Sequence, residues 1–112
     1  MIEAACHCGA VRIRAPVPAQ ISECNCSICR KLGSRWAYYS PAEVSIAGST
    51  APYIHGDRTL ATHHCPTCGC TTHWLGLDAY ADRVAVNARL MSGVENVPVR
   101  HFDGADTWTF LD

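Results

Sequence analysis

Apolar and polar residues alternate over short stretches of this chain, and proline or glycine interrupts each stretch. Ala10–Arg14 alternates apolar with basic side chains, and Pro16 and Pro18 follow it closely. Alternation with a period of two places the apolar side chains on one face of a half-buried strand. No helical period is sustained over three turns. The pattern therefore predicts an all-β, or mainly β, fold.

Six further segments have the same strand-like composition, rich in aromatic and β-branched residues. They are Trp36–Tyr39, Val44–Ile46, Pro52–His55, Thr71–Leu75, Arg83–Asn87 and Thr107–Phe110. Short helical turns are predicted after Cys26 and around Pro41–Glu43. No repeat, low-complexity tract or linker divides the 112 residues, so we expect a single domain over residues 1–112.

Charge and hydropathy exclude several classes of partner. The chain has nine basic and ten acidic residues, and no run of like charges is longer than Arg30-Lys31. This balance provides no basic surface for nucleic acid or for an anionic membrane. No stretch approaches the roughly 18 apolar residues that a membrane span needs. Met1–Ala5 has neither the basic nor the apolar region of a secretory signal, so we expect a cytoplasmic protein.

The eight cysteines fall into three tight clusters, and these clusters carry the chemistry. They lie at Cys6–Cys8, Cys24–Cys29 and Cys65–Cys70. Cysteines so close together are poorly placed to bridge each other, but their thiolates can converge on one tetrahedral ion. The alternative is a secreted scaffold with four disulfides. Clustered spacing and a reducing compartment favour zinc over disulfides.

Two of the clusters contain a cysteine pair followed directly by glycine. The pairs are Cys6-x-Cys8 and Cys65-x2-Cys68. Two such pairs, brought together from distant parts of the chain, would supply the four thiolates of a closed structural zinc site. We therefore interpret these four residues as ligands of a structural zinc ion.

The middle cluster differs because it offers only three thiolates, from Cys24, Cys26 and Cys29. Three protein ligands with an open fourth position are typical of catalytic or ligand-binding zinc. Cys70 or a histidine in the fourth position would make the site structural; otherwise a thiol or water can enter. Cys70 could equally be a redox-sensitive thiol or simply pack. Since thiolates are soft donors, a soft thiol substrate would suit an open site.

With these clusters the chain resembles the glutathione-dependent formaldehyde-activating enzyme family, which shares its domain with the centromere protein V group and has the Mss4-like fold. The resemblance spans nearly the whole chain in order. The segments that carry it are Cys6–Val11, Cys24–Lys31, Cys65–Gly69, Val86–Arg89 and Phe102–Gly104. The three cysteine clusters are specific, while the last two segments are weak alone.

The resemblance implies two zinc ions in a β-rich Mss4-like domain. The structural ion would be held by Cys6, Cys8, Cys65 and Cys68, and the second by Cys24, Cys26 and Cys29. In the enzymes that name the family, glutathione and formaldehyde form S-hydroxymethylglutathione, a carbon–sulfur bond-forming reaction classed among the lyases. One fold hosts many functions, so family membership alone does not determine the substrate.

Glutathione carries two carboxylates, and basic residues follow the middle cluster directly. Arg30, Lys31 and Arg35 are candidate contacts, with Arg35 preferred, although solvated surface charges are the ordinary alternative. Nearby aromatic residues could form a pocket wall or the core. These aromatic residues are Trp36, Tyr38 and Tyr39.

No general base is evident from the sequence. His55, His63, His64 and His73 are candidates, but a histidine beside a strand is more often a surface or hydrogen-bonded residue. Three functions therefore stay open: a carbon–sulfur lyase acting on a thiol adduct, a carrier of glutathione or another small thiol, and a zinc-stapled interaction domain without chemistry.

Overall fold

Ten short strands and one helix make up the protein, as seen in a computed structural model that describes residues 1–112. The strands are β1 (Ile2–Ala5), β2 (Arg12–Ala15), β3 (Ile21–Cys24), β4 (Trp36–Tyr39), β5 (Ser45–Ala47), β6 (Ala51–Ile54), β7 (Leu60–His64), β8 (Thr71–Gly76), β9 (Val84–Asn87) and β10 (Val99–Phe102). The helix is α1 (Ser27–Leu32), and 3₁₀ turns lie at Pro41–Glu43, Asp78–Tyr80 and Ala88–Leu90. No helix is long and apolar enough to cross a membrane.

The strands form two sheets. The smaller one has the order β1-β2-β5, and the larger one has the order β10-β3-β4-β9-β8-β7-β6. All neighbouring strands are antiparallel except β10 and β3, which run parallel. The parallel pair brings the C-terminal strand alongside the strand that ends at Cys24, which positions the functional site described below.

Residues from both sheets share one core. Alternation decides which side chains of β2 enter it: Ile13 and Ala15 are buried, whereas Arg12 and Arg14 are exposed. The same core contains Cys6 and Cys65. Cys6 and Cys65 are thus part of the packed interior, where an ion bound to both would tie distant parts of the chain together.

The structure confirms the mainly β fold predicted from the pattern. The prediction for Trp36–Tyr39 matches β4 at both ends, and both predicted helical turns are present. Five other predicted strands overlap β2, β5, β6, β8 and β9. The pattern missed β1, β3, β7 and β10.

The strand predicted at Thr107–Phe110 is wrong. Residues 104–107 form a turn, and only Phe110 makes an isolated β-bridge, with Phe102. Two local features prevent a strand. The Asp103 carboxylate accepts hydrogen bonds from the backbone and hydroxyl of Thr107, and Trp108 has a left-handed backbone with φ 59°. Side chain to backbone bonds of this kind compete with sheet formation.

Candidate metal and ligand site

The first cysteine cluster brings together two distant turns of the chain. Cys6 and Cys8 lie between β1 and β2, Cys65 and Cys68 lie between β7 and β8, and all four sulfur atoms are within 4.8 Å of one another. The Sγ atoms of Cys6 and Cys8 are 3.7 Å apart, as are those of Cys8 and Cys65. Sulfur atoms placed tetrahedrally at about 2.3 Å from a metal are about 3.8 Å apart. The cluster therefore has the geometry to hold a metal ion.

Glycine closes both turns of this cluster. The backbone N–H groups of Gly9 and Gly69 donate to the carbonyls of Cys6 and Cys65, at 3.0 and 2.8 Å. Both glycines have positive φ, 79° and 82°, a conformation that costs other residues energy. The Val11 N–H donates to Cys6 Sγ at 3.3 Å. The turns thus direct sulfur atoms and backbone donors toward a common centre.

The thiols of this cluster ionise unequally. Backbone N–H groups of Cys70 and Cys8 lower the pKa of Cys68 to about 5. The Ala10 backbone N–H favours the Cys8 thiolate, but burial and the neighbouring thiols outweigh it and raise the pKa of Cys8 to about 11. Adjacent thiolates disfavour each other's ionisation unless a cation lies between them. A bound cation would allow all four to ionise.

Cys70 lies near the four converging cysteines in sequence, but it is not part of their group or of the three-cysteine group of the middle cluster. Its backbone carbonyl accepts from Cys65 N–H at 2.9 Å, so it lies in the turn of the first cluster. Its side chain lines a cavity of about 380 Å³ together with Lys31 and Arg89. Cys70 is therefore not placed as the fourth ligand of the middle cluster, one of the roles considered from sequence.

The middle cluster is assembled around the start of α1. Cys24 ends β3, Cys26 caps the helix N-terminus and Cys29 lies within the helix. The Cys29 N–H donates to Cys26 Sγ at 3.5 Å, and the Cys26 N–H donates to Cys24 Sγ at 3.4 Å. The three sulfur atoms lie within 4.8 Å of one another, with no fourth histidine, cysteine or carboxylate in the group. All three residues are half-exposed, so this cluster could hold a metal ion that a ligand can reach.

Trp36 connects the middle cluster to the buried interior. Its side chain is buried, and its indole Nε1 donates to Cys29 Sγ at 3.3 Å. Burial raises the pKa of Cys29 to about 12, with Cys26 adding to the effect and the Trp36 hydrogen bond opposing it. Of the other two predicted wall residues, Tyr39 donates to the Pro16 carbonyl at 2.7 Å and Tyr38 packs edge-on against a tryptophan. Trp36 is thus the one aromatic residue of the three that hydrogen-bonds to the cluster.

The loop after β10 covers the other side of the cluster. Asn25 Nδ2 donates to the Asp103 carboxylate at 2.9 Å, and Asn25 Oδ1 accepts from the Ala105 N–H at 3.0 Å. This clamp brings Gly104 so close that an added Cβ would lie 2.5 Å from Cys24 Sγ. Glycine is required here for close approach rather than for a positive φ.

A cavity of about 400 Å³ opens beside the middle cluster and carries several charged groups. Its lining includes Cys24, Cys29, Glu23, Arg30 and His101. One carboxylate, that of Glu23, interacts with three cationic groups from different parts of the chain. The partners are Arg35 at 3.3 Å, Arg89 at 3.8 Å and His101 at 3.4 Å. Among the residues that line the cavity itself, Arg30 and His101 are basic and Glu23 is acidic.

Comparison with known proteins agrees with this arrangement of cysteines. Residues 1–103 match the family model described as glutathione-dependent formaldehyde-activating enzyme. The chain belongs to this family. The resemblance noted from the cysteine clusters is thereby confirmed.

Two relatives of this family member illustrate the extent of the similarity. A Halomonas elongata protein named "Putative glutathione-dependent formaldehyde-activating enzyme" is 32% identical over 75 residues, which are 64% of this chain and 45% of the relative. The match thus spans less than half of that protein. A Rhodobacter sphaeroides protein of known crystal structure is 29% identical, with a TM-score of 0.72 over 87% of this chain and 98% of the other.

The three basic residues predicted to contact glutathione have three different environments. Arg30 lines the cavity of the middle cluster, and Lys31 lines the neighbouring cavity that contains Cys70. Arg35, the preferred contact, is engaged by Glu23 instead. Arg30 and Lys31 are successive residues of α1, whereas Arg35 follows the helix, so the three side chains have different surroundings.

Three charged groups in or beside this cavity were not predicted from the sequence. None of the four candidate histidines lines the cavity, whereas His101 does. Glu23 and Arg89 were overlooked as well. Glu23 directly precedes the cluster, which was a usable signal. The positions of Arg89 and His101 depend on strand pairing between distant segments, which no local pattern reveals.

Proposed function

We propose that the protein is a zinc-dependent enzyme that joins glutathione to formaldehyde at Cys24, Cys26 and Cys29, forming S-hydroxymethylglutathione. The reaction belongs with the carbon–sulfur lyases. The observation that carries the proposal is the group of three half-exposed sulfur atoms beside a cavity, without a fourth protein ligand. Three ligands with an open position are typical of catalytic zinc.

The donor atoms suit zinc at both clusters. All seven are cysteine sulfur atoms, and soft thiolates in tetrahedral arrangement favour zinc over harder cations. Cys6, Cys8, Cys65 and Cys68 would hold a structural ion that ties the two sheets into a single zinc-binding domain over residues 1–112. Zinc at the second cluster would favour ionisation of a thiol and polarise a carbonyl oxygen.

The charges of the cavity suit a small thiol that bears carboxylates. Arg30 lines the cavity and has no ion-pair partner within 4.0 Å, so it is the first candidate to receive a carboxylate. Arg35 Nη2 lies 3.3 Å from Oε2 of Glu23, another residue of the cavity lining. Ser34 also lines the cavity, and its Oγ is buried without a hydrogen-bond partner. Buried polar atoms usually find partners, which favours a polar ligand here.

The addition of a thiol to formaldehyde already proceeds in water, so the protein needs to supply little more than proximity and proton transfer. Holding both reactants together converts a bimolecular encounter into a local one. The cavity volume of about 400 Å³ is within the range of small-molecule sites. We therefore expect acceleration over a measurable spontaneous reaction.

Metal analysis and X-ray absorption test the zinc assignment. We expect two zinc ions per chain, one with four sulfur ligands and one with three sulfur ligands and a lighter or exchangeable fourth. Two fully protein-ligated ions would contradict an open site and favour an interaction domain.

Titration calorimetry and exchange NMR test the substrate. Glutathione should bind, S-methylglutathione should bind more weakly because its sulfur is blocked, and free cysteine more weakly because it lacks the second carboxylate. Arg30→Gln should weaken glutathione binding, whereas Arg14→Gln, an exposed arginine on the smaller sheet, is the matched control. Glutathione binding without faster hydroxymethyl exchange would indicate a carrier and contradict the enzyme.

A further inference from the structure

His101 and Asp112 form an ordered pair at the cavity of the middle cluster. His101 Nδ1 lies 2.7 Å from Asp112 Oδ2, and the His101 backbone N–H donates to Asp112 Oδ1 at 2.9 Å. The His101 side chain is about half exposed and lines the same cavity as Cys24 and Cys29. A histidine oriented by a carboxylate beside reactive sulfur is the usual arrangement for proton transfer.

Strand pairing determines where this histidine lies. In the parallel pair of β10 and β3, His101 is opposite Glu23 and Phe102 is opposite Cys24. The segment that carries Asp112 folds back along β10. Arg100 Nη2 donates to the Asp112 carbonyl at 2.6 Å, and the Leu111 N–H donates to the His101 carbonyl at 2.8 Å. Both partners are therefore held by the backbone as well as by their side chains.

The contact with Asp112 also selects the form of the imidazole. When Nδ1 donates its proton to Asp112, the lone pair of Nε2 is left free. Nε2 faces Glu23 Oε2 at 3.4 Å, so a proton gained there has an acceptor nearby. The ring can thus exchange a proton through Nε2 without leaving its position.

Surrounding charges favour the protonated ring. The hydrogen bond to Asp112 and the charges of Asp112 and Glu23 raise the pKa of His101, while partial burial and the Arg35 guanidinium oppose this effect. Arg35 and Arg89 both interact with Glu23 and reduce its influence. Arg100 lies on the other side of Asp112. The cationic groups around the ring thus oppose the two carboxylates.

We propose that His101 transfers the proton during addition of the thiol to formaldehyde, with Asp112 as its positioning residue. This inference rests on the proposed function. His101 Nε2 takes the proton from the thiol as the sulfur lone pair forms the C–S bond. The π pair of the carbonyl moves to oxygen, and the imidazolium returns its proton to that oxygen. The S–H and C=O π bonds break, C–S and O–H bonds form, and no other reactant is required.

Three variants of the zinc-loaded protein test the assignment. His101→Gln removes the titrating group, Asp112→Asn removes the orienting charge, and His55→Gln is the histidine control outside the cavity. Zinc content, thermal melting and glutathione affinity are measured for each. We expect His101→Gln to lower kcat by about 10²-fold and to remove the acidic limb of its pH profile, with glutathione affinity within about twofold.

NMR titration supplies a readout independent of turnover. The imidazole signals of His101 should titrate at lower pH in Asp112→Asn than in the wild type, and the acidic limb of kcat should shift in the same direction. A His101→Gln variant that keeps wild-type kcat, or an unchanged His101 titration in Asp112→Asn, would overturn the inference and leave the proposed function standing. Glutathione binding by the wild type without acceleration would instead overturn the proposed function, and the catalytic role of His101 with it.

Discussion

The indole Nε1 of Trp36 donates a hydrogen bond to Cys29 Sγ over 3.3 Å, which joins a buried residue of the larger sheet to the half-exposed middle cluster. This contact stabilises the thiolate form of a cysteine whose burial otherwise favours the neutral thiol. Hydrogen bonds to metal ligands tune the metal as well as the ligand. The core therefore contributes to the chemistry of the site.

Replacing Trp36 with Phe should weaken metal binding at the middle cluster. The loss of the hydrogen bond makes ionisation of Cys29 harder, and we expect an affinity lower by about 10-fold, measured by competition with a chromophoric chelator. Trp74→Phe is the matched control, since Trp74 packs against Tyr38 and donates to no cysteine. Equal affinities in the two variants would show that the hydrogen bond has no effect.

Cys65→Ser should release one metal ion and most of the folded structure. Cys65 is fully buried in the core, and structural metal binding is coupled to folding by roughly 10 kcal/mol or more. Cys70→Ser, in the same turn but outside the cluster, should keep both the metal and the fold. Circular dichroism and metal analysis provide the measurement. A folded Cys65→Ser protein without this metal would contradict a structural site.

Cys26→Ser should remove the second metal ion and leave the fold largely intact. Cys26 is half-exposed, and its cluster lies at the end of one strand and the start of a six-residue helix. Serine can still cap this helix through its hydroxyl. We expect thermal melting close to the wild type and no detectable glutathione binding. Unfolding as complete as that of Cys65→Ser would make the middle cluster structural.

Gly104→Ala should disturb the middle cluster without a change at any cysteine. The added methyl group would meet Cys24 Sγ at 2.5 Å, so either the sulfur or the loop must shift. We expect at least about 10-fold weaker metal binding at this cluster, since a displaced sulfur atom no longer has the position that metal coordination needs. Ala105→Ser, a change at the neighbouring exposed residue, is the control. Equal metal affinity in both variants would show that the loop moves away without displacing the sulfur atom.

His73 should make the protein less stable in mild acid. Its ring is buried, and Nδ1 shares a hydrogen bond with the Thr72 hydroxyl at 2.8 Å. Burial, with a smaller effect of His63, lowers the pKa of His73 from 6.5 to about 4. The unfolded chain therefore binds an extra proton between these values. The neutral ring of His73 therefore costs no stability above about pH 6.5. As the pH falls toward 4, its contribution lowers the free energy of unfolding by about 3 kcal/mol.

Denaturant unfolding at several pH values measures this loss for the wild type, His73→Gln and the control His55→Gln. Thiolate ligands also gain protons in acid, but that effect is common to all three proteins. The part of the pH dependence due to His73 should disappear only in His73→Gln. Identical slopes in all three would exclude His73 as its source.

The sequence by itself determined the features that depend on near neighbours. Cysteines one or two residues apart can turn their sulfur atoms toward one point, so the middle cluster and each of the pairs Cys6–Cys8 and Cys65–Cys68 could be predicted from spacing. That the two pairs meet depends on the fold. Aromatic composition likewise predicted β4 at both ends, because aromatic side chains pack well on the half-buried surface of a sheet. It failed at Thr107–Phe110, where the carboxylate of Asp103 offers the backbone a competing set of hydrogen bonds.

Only the tertiary structure decided which groups surround the middle cluster. Cys24 and Phe102 are 78 positions apart in the chain, yet the parallel pairing of β3 and β10 places them side by side and brings His101 opposite Glu23. The same folding pairs Arg35 with Glu23, a residue that lines the cavity, and places Cys70 in the turn beside the other cluster. Register between distant strands follows from how a whole core packs, so no local pattern contains it.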